Sequence, residues 1–279
     1  GARPRHTLPR RRSTYRGGMC MLVVARRVHP RYPLIVVANR DEVLARPTEP
    51  LHEWTLEHDG VADIVAGRDI TAGGTWLALA PGGRFAAVTN VREPGPAIPA
   101  PASRGELPVD ALTGPVPVTE FAHHVVDGLD AYGGVNLIAG DLDDMWWASN
   151  RSTRGPLPLD DGVHGLSNAA LNTPWPKVVG AVRDVRTLLG TDLMEGPDWS
   201  RALLDLLADR RPAAPWTMPR TGVPLSHEWR LSSRFVRIGG IYGTRSTTAV
   251  RVDQHGVADV VERTWDTRGR VTGTVTRRV

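Results

Sequence analysis

Short apolar runs separated by polar, proline or glycine turns dominate the pattern along this chain. Runs of this length predict β-strands, and two neighbouring runs joined by a short loop predict a hairpin. The last three runs are rich in Val and Thr, which favour the extended conformation. The predicted strands cover residues 20–25, 34–38, 76–80, 85–89, 136–140, 145–149, 247–252, 257–264 and 271–276.

Other segments repeat apolar residues at helical spacing, and Gly190 provides a stop signal after the longest of them. Proline-rich residues 94–101 predict a loop, and residues 212–224 an irregular insert. The order of strands, helices and strands lacks the regular alternation of a parallel α/β fold. We therefore expect an α+β fold, with antiparallel sheets packed on one another and helices outside. The predicted helices cover residues 119–129, 175–189 and 199–208.

The excess of basic over acidic residues lies in the first 18 residues of the chain. The formal net charge is +4, but residues 1–18 contain six arginines and no acid, so the remainder is close to neutral. This segment has no apolar periodicity and is predicted to be a disordered extension. Three origins stay open: vector-derived or mis-started sequence, which we favour, a propeptide, or a basic arm for nucleic acid or anionic lipid. Residues 19–279 are predicted to form a single domain, because no linker divides them.

Several classes of protein and site are excluded by the composition. A single cysteine excludes an intramolecular disulfide and a cysteine-cluster zinc site. No run approaches the roughly 20 apolar residues of a membrane span, and no phosphate-loop or dinucleotide fingerprint occurs. We expect a cytoplasmic protein that binds a small molecule, with no nucleic-acid partner and no membrane span. The oligomeric state is open.

The one cysteine follows an internal methionine, in the pair Met19-Cys20. A cysteine whose own α-amino group is free carries both a nucleophile and a base, since an amine of pKa roughly 7.7–8.0 accepts the thiol proton. The alternative is a small apolar residue at the start of a strand. At this point both interpretations stand.

Polar residues at predicted strand ends supply candidate partners for a thiol. An Asp near the amine would orient it, an Arg near the thiol would lower its pKa, and an Asn amide would stabilise an oxyanion. Each residue also has an ordinary interpretation as a surface ion pair, a turn, a helix cap or a solvated arginine. The candidates are Arg40 and Asp41 after the second strand, Asn90 after the fourth, Asn168 before a helix, and Arg245 at the start of a C-terminal strand.

Seven ordered motifs accompany Cys20, and together they resemble the NRDE family, the transport and Golgi organisation protein 2-like proteins. The resemblance runs from Met19 to about Trp265 and implies a four-layer αββα sandwich like that of N-terminal-nucleophile hydrolases. The motifs are Asn39-Arg40-Asp41-Glu42, Gly73-Gly74-Thr75-Trp76, Thr89-Asn90, Arg104-Gly105-Glu106-Leu107, Asn136-Leu137, Gly165-Leu166-Ser167-Asn168 with Thr173-Pro174-Trp175, and Tyr242-Gly243-Thr244-Arg245.

The resemblance also implies a catalytic set, by comparison with the choloylglycine hydrolase and penicillin V acylase group. One departure concerns spacing: those enzymes separate the early Arg and Asp, whereas Arg40 and Asp41 are adjacent and should point to opposite faces of a strand. We expect Arg40, rather than Asp41, to be turned away from the thiol. The implied catalytic residues are Cys20, Arg40, Asp41, Asn90, Asn168 and Arg245.

Two functions follow from the resemblance. The first is an N-terminal cysteine amidohydrolase or acyltransferase acting on a non-peptide C–N bond, which requires no metal or cofactor. The alternative is a carrier of haem or of lipid or acyl-CoA without turnover, with iron bound by Cys20, His123, His124 or His164. His123 and His124 fall on a predicted helix, where solvated histidines are the simpler interpretation.

Overall fold

Two antiparallel sheets form the centre of the molecule. The computed structural model describes residues 19–56, 62–93, 100–128 and 131–279, so the predicted extension and most of the proline-rich loop lie outside the described residues. The division into an extension and one domain stays a prediction. The strands are β1 (Met19–Arg26), β2 (Leu34–Val43), β3 (Thr48–Leu56), β4 (Ala62–Asp69), β5 (Leu77–Ala80), β6 (Arg84–Asn90), β7 (Val135–Gly140), β8 (Met145–Ser149), β9 (Leu157–Pro158), β10 (Gly162–Leu166), β11 (Arg237–Ile238), β12 (Tyr242–Val252), β13 (Ala258–Trp265) and β14 (Val271–Arg278).

The first sheet has the order β10-β1-β2-β12-β13-β14, with β11 paired to β12. The second sheet runs from β3 to β9 in sequence order, because each strand pairs with its successor. Every strand pair in both sheets is antiparallel. The helices are α1 (Leu107–Thr113), α2 (Val118–Asp127), α3 (Pro176–Leu189), α4 (Trp199–Leu207) and α5 (Leu225–Arg230).

Three apolar clusters hold the layers together. The largest lies between the sheets and joins Leu22 and Val36 of the first sheet to Phe85 and Trp147 of the second. A second cluster packs α3 and α4 on the outer face of the first sheet, and a third packs α1 and α2 on the outer face of the second. The predicted four-layer αββα sandwich of two antiparallel sheets is confirmed.

Alternation along β1 explains why this strand is buried on both faces. Leu22 and Val24 point into the space between the sheets, whereas Met21 and Val23 face the helical layer. All four side chains are almost fully buried. A strand that is covered on both faces has a continuous apolar sequence, and this apolar run is the pattern from which β1 was predicted.

The local elements match the sequence prediction well. The hairpins β1–β2, β5–β6 and β7–β8 are confirmed, and α3 ends at Leu189 with Gly190 as its cap. Strand β2, however, continues through the motif predicted to follow it, to Val43. The prediction omitted β3, β4, β9, β10, β11, α1 and α5. Strand β3 contains Pro50 and a register shift, and the first turn of α1 contains a proline. Within the described ranges, no helix is long and apolar enough to cross a bilayer.

Candidate active site

Cys20 lies at the beginning of β1, directly opposite Arg40 of β2. Because Leu22 and Val24 share its face, the thiol points into the space between the two sheets. A small cavity there is lined by Cys20, Leu22, Trp76 and other residues of both sheets. Cys20 is partly exposed as a residue, whereas its sulfur is buried beside this cavity.

Arg40 shares the face of Cys20, so the expectation that Arg40 would be turned away is wrong. Residues directly opposite each other on antiparallel strands project to the same side of the sheet. The guanidinium of Arg40 donates a 2.8 Å hydrogen bond to Asp69 and a 3.1 Å bond to Thr48, and it lies 4.4 Å from the ring centre of Trp76. Its side chain is therefore bound mainly to the second sheet.

Asp41 faces the helical layer instead, opposite Met19, and is fully buried. Its Oδ1 accepts a 2.6 Å hydrogen bond from Thr244, and its carbonyl accepts one from Tyr242. Its Oδ2 has no hydrogen-bond partner among the described residues. Burial raises the pKa of Asp41 to about 7, and the nearby Lys177 opposes that rise. Asp41 is thus a carboxyl group with one acceptor atom to spare.

The loop after β10 brings Asn168 to the same end of β1. The β1–β10 register ends with Leu22 opposite Leu166, and continuing it by two residues puts Asn168 beside Cys20. Ser167 Oγ donates to the carbonyl of Cys20 at 3.1 Å, which fixes the loop there. Nδ2 of Asn168 donates to the carbonyl of Asn90 at 2.8 Å. Asn90 and Asn168 therefore meet, although one amide hydrogen of Asn168 is used structurally.

Buried polar bonds hold this loop against the second sheet. Thr89 donates a 2.6 Å hydrogen bond to the carbonyl of Ser167, and Nδ2 of Asn136 donates to Thr89 and to the carbonyl of Ala169. The motifs Thr89-Asn90 and Asn136-Leu137 thus position the loop that carries Asn168. No such role was predicted for Asn136.

Arg245 occupies a bulge of β12, between Thr244 opposite Asp41 and Ser246 opposite Arg40. Its guanidinium donates to the carbonyl of Leu44. Burial lowers the pKa of Arg245, and the charge of Arg40 adds to this effect while Glu42 opposes it. Arg245 therefore lies within electrostatic range of Arg40, at the edge of the site.

The set predicted from the sequence omitted two cations that act on Cys20. Burial lowers the pKa of Arg104, and the largest opposing effect is the negative charge of the Cys20 thiolate. Burial lowers the pKa of Lys177 to about 8, with Asp41 and Cys20 among the groups that act on it. Arg104 belongs to one of the seven motifs, so the sequence could have identified it as a candidate. Lys177 could have been identified from the composition, since it is the only lysine in the chain.

The thiol itself is held in its neutral form. Burial raises the pKa of Cys20 to about 12, and the carboxylate of Asp41 adds to the rise. The charge of Arg40 and a hydrogen bond from the backbone N–H of Asp41 oppose it. A thiol in this state needs a proton acceptor before it can attack a carbonyl.

The structure offers no cluster of metal ligands at Cys20. Across the described residues, no group of three or more His, Cys, Asp or Glu side chains could hold a metal ion. His123 and His124 lie on α2, outside the second sheet, while His164 lies opposite Val24 and bonds to Asp160 and Asn172. These histidines lie on elements other than the strand of Cys20, and haem ligation through any one of the four residues stays a prediction.

Comparison with known proteins assigns the family. Residues 19–267 match the family model described as Transport and Golgi organisation 2. The chain belongs to this family. It is 31% identical over 264 residues to the human Transport and Golgi organization protein 2 homolog, covering 85% of this chain and 91% of the human protein. The mouse homolog is also 31% identical, over 246 residues that cover 83% of this chain and 86% of the mouse protein. The family resemblance inferred from the motifs is confirmed.

Solved structures of two hydrolases are also similar. A Caenorhabditis elegans N-acylethanolamine-hydrolyzing acid amidase ortholog aligns with a TM-score of 0.43 and 13% identity, covering 75% of this chain and 96% of its own. A mutant conjugated bile acid hydrolase from Clostridium perfringens aligns with a TM-score of 0.42 and 10% identity, covering 93% of this chain and 92% of its own. Both scores are low, and neither similarity bears on the activity of this family member.

Proposed function

We propose that this protein is an N-terminal cysteine amidohydrolase or acyltransferase that acts on a non-peptide C–N bond of a small molecule. The observation that carries the proposal is the unpartnered Oδ2 of Asp41 opposite Met19. Removal of Met19 would give Cys20 a free α-amino group at this end of β1. That amine would satisfy Asp41 and stand next to its own thiol.

In the proposed reaction, the amine takes the thiol proton, directly or through one water, and the sulfur attacks the substrate carbonyl. A thioester to Cys20 forms, the C–N bond breaks, and the proton passes to the leaving nitrogen. Water completes hydrolysis of the thioester, or a second nucleophile completes acyl transfer. Asp41 orients the amine, and Asn90 and Asn168 are the proposed oxyanion donors.

The cations around the site have separate proposed roles. Arg40 and Arg104 offset the negative charge of the thiolate, and each acts on Cys20 electrostatically. Arg245 fixes the edge of the site or binds a substrate carboxylate. Neither role uses a metal or cofactor. The cytoplasmic location expected from the sequence stays a prediction.

The names of the relatives refer to transport and Golgi organisation, and they favour the carrier alternative. In that case the same cavity would bind haem, lipid or acyl-CoA without turnover. Under this alternative Cys20, His123, His124 or His164 would bind the iron, and haem binding stays a prediction.

Mass spectrometry with an electrophilic acyl probe tests the proposal against the alternative. The enzyme hypothesis predicts one acyl group on the Cys20 sulfur and none on the side chain of Cys20→Ser, which is nearly isosteric and should keep its unfolding midpoint. A parallel haem titration of both proteins measures the carrier function. Labelling at Cys20 supports the enzyme, whereas saturable haem binding with no labelling rejects it.

A further inference from the structure

Lys177 is the only lysine among the 34 Lys and Arg residues of this chain. It lies in the first turn of α3 and is 5% exposed. Its Nζ has no hydrogen-bond partner among the described residues. An ammonium group buried without a partner is costly, so its retention at a position where the chain could use an apolar residue requires an explanation.

The surroundings of Lys177 connect it to the Cys20 site. Helix α3 contacts β1 and β10, the two strands that carry Cys20 and the Asn168 loop. Asp41 of β2 is also buried on the helical side of the sheet and also has an unpartnered atom, Oδ2. Electrostatic effects link Lys177 to Asp41, and more weakly to Cys20. Two buried groups of opposite charge, each with an unpartnered polar atom, thus lie between the first sheet and its helical layer.

The other charged side chains near Lys177 form an ion pair with each other. Arg92 and Glu228 share the small cavity that Lys177 lines, and they pair with each other. Arg92 also lies 4.7 Å from the ring centre of Trp175. Arg92 repels the ammonium, and Glu228 attracts it more weakly, so the pair opposes the charge of Lys177 and does not stabilise it. Asp41 is left as the main counter-charge of Lys177.

A lysine suits this place better than an arginine because its proton can leave. An arginine stays charged in proteins, whereas a buried lysine titrates near neutral pH. Burial lowers the pKa of Lys177 to about 8 and raises that of Asp41 to about 7. Both groups therefore change charge in the range where a thiol must be activated.

We propose that Lys177 is a positioning residue of the Cys20 site: its buried ammonium keeps the Asp41 carboxylate ionised. The proposal rests on the proposed function only in treating Cys20 as the reacting centre. The charged groups that act on Cys20 from the surrounding elements are Asp41, Arg40 and Glu42 of β2, Arg104 before α1, and Lys177.

The first test is direct, since a single lysine gives a single side-chain signal. Isotope labelling of lysine in the full chain allows the side-chain carbon shift of Lys177 to be followed through a pH titration. We expect a midpoint well below the ordinary lysine value of about 10.4. We expect it to fall further in Asp41→Asn, because the variant loses the attracting charge. An ordinary midpoint, or one that Asp41→Asn leaves in place, overturns the proposal.

The second test uses the single cysteine. The rate of Cys20 alkylation by iodoacetamide near neutral pH is proportional to the thiolate fraction, and one pKa unit changes it about tenfold. We expect Asp41→Asn to accelerate alkylation, since the thiolate loses a neighbouring anion. We expect Lys177→Met to accelerate it as well, since Asp41 then loses its counter-charge and takes up a proton near neutral pH. The double variant should react no faster than Asp41→Asn alone, because the same anion is lost only once.

The double variant separates an electrostatic role from a packing role. Loosened packing at two positions would multiply the two accelerations, because each substitution would expose the thiol further. Lys177→Met removes a buried charge at similar side-chain size, and Asp41 can become neutral in response, so the variant should fold. If it does not, the lysine titration of wild type and Asp41→Asn still decides. Unchanged or slower alkylation in a folded Lys177→Met protein, or a double variant whose acceleration is the product of the two single effects, overturns the proposal, whether or not acyl probes label wild type.

Discussion

Cys20 and Asp41 sit on neighbouring strands but on opposite faces of the first sheet, and this arrangement has a chemical consequence. The thiol faces the inter-sheet cavity, while the carboxyl faces the helical layer beside Met19. A free amine at Cys20 would lie between them, at the strand end. The sequence indicated both residues, and strand alternation correctly placed Arg40 and Asp41 on different faces of the sheet. Alternation alone could not predict which of the two shares the face of Cys20, because that depends on the β1–β2 register.

Burial of Asp41 predicts an unusual pH dependence of stability. The folded state binds this proton more tightly than the unfolded chain, since burial raises the pKa from 3.8 to about 7. The contribution of Asp41 to the free energy of unfolding is therefore greatest below pH about 4 and is lost as the pH rises through about 7. Asn cannot titrate, so wild type should lose stability relative to Asp41→Asn over this range.

Urea unfolding at several pH values measures this difference, which should amount to about 1.4 kcal/mol for each unit of pKa shift. Asp143→Asn is the matched control, because the Asp143 side chain is 97% exposed and should show no such trend. A constant difference between wild type and Asp41→Asn across the range would contradict the assigned burial.

At the scale of elements, two glycine motifs fix one wall of the site. The N–H of Thr75 donates a 2.9 Å hydrogen bond to the carbonyl of Gly105, so the two backbones are in contact. A Cβ on Gly74 would lie 2.3 Å from the Gly105 carbonyl oxygen. This approach holds the turn that begins at Arg104, whose guanidinium acts on Cys20.

We predict that Gly74→Ala destabilises the protein by about 2 kcal/mol or more, because backbone atoms cannot move aside as a flexible side chain can. Gly196→Ala is the control, since its added Cβ would meet its nearest atom at an ordinary 3.7 Å. Denaturant unfolding compares the two variants. Equal stability of Gly74→Ala and wild type would show that the contact is not needed to hold this wall.

Elements that depend on local sequence were predictable, and those that depend on partners were not. Apolar runs joined by turn residues predicted the hairpins correctly, as in β7 and β8. Strand β2 was predicted too short because its polar end, including Arg40 and Asp41, becomes buried only through pairing with β12. Similarly, Lys177 falls at the start of an ordinary amphipathic helix, and only the packing of α3 shows it to be buried.

At the scale of the molecule, the site is assembled from distant parts of the chain. Strand β2 pairs with β12 about 200 positions later, and the Asn168 loop reaches Cys20 from between them in sequence. The strand–helix–strand order predicted the layers, but no spacing rule predicts which strands become neighbours. Family resemblance supplied that information for Asn168 and Arg245. It did not supply Lys177, which came from composition and burial together.

The most direct measurement of the central claim compares acylation of chains that differ only at the start of β1. One chain begins at Cys20, one retains Met19, and a Cys20→Ser chain with a free amine controls for labelling on nitrogen. Intact mass and peptide mapping after brief exposure to the acyl probe report the extent and position of labelling. We predict rapid acylation of the Cys20 sulfur only in the chain that begins at Cys20. Equal labelling of Cys20 when Met19 is retained, or no labelling of either chain, would contradict the free-amine mechanism.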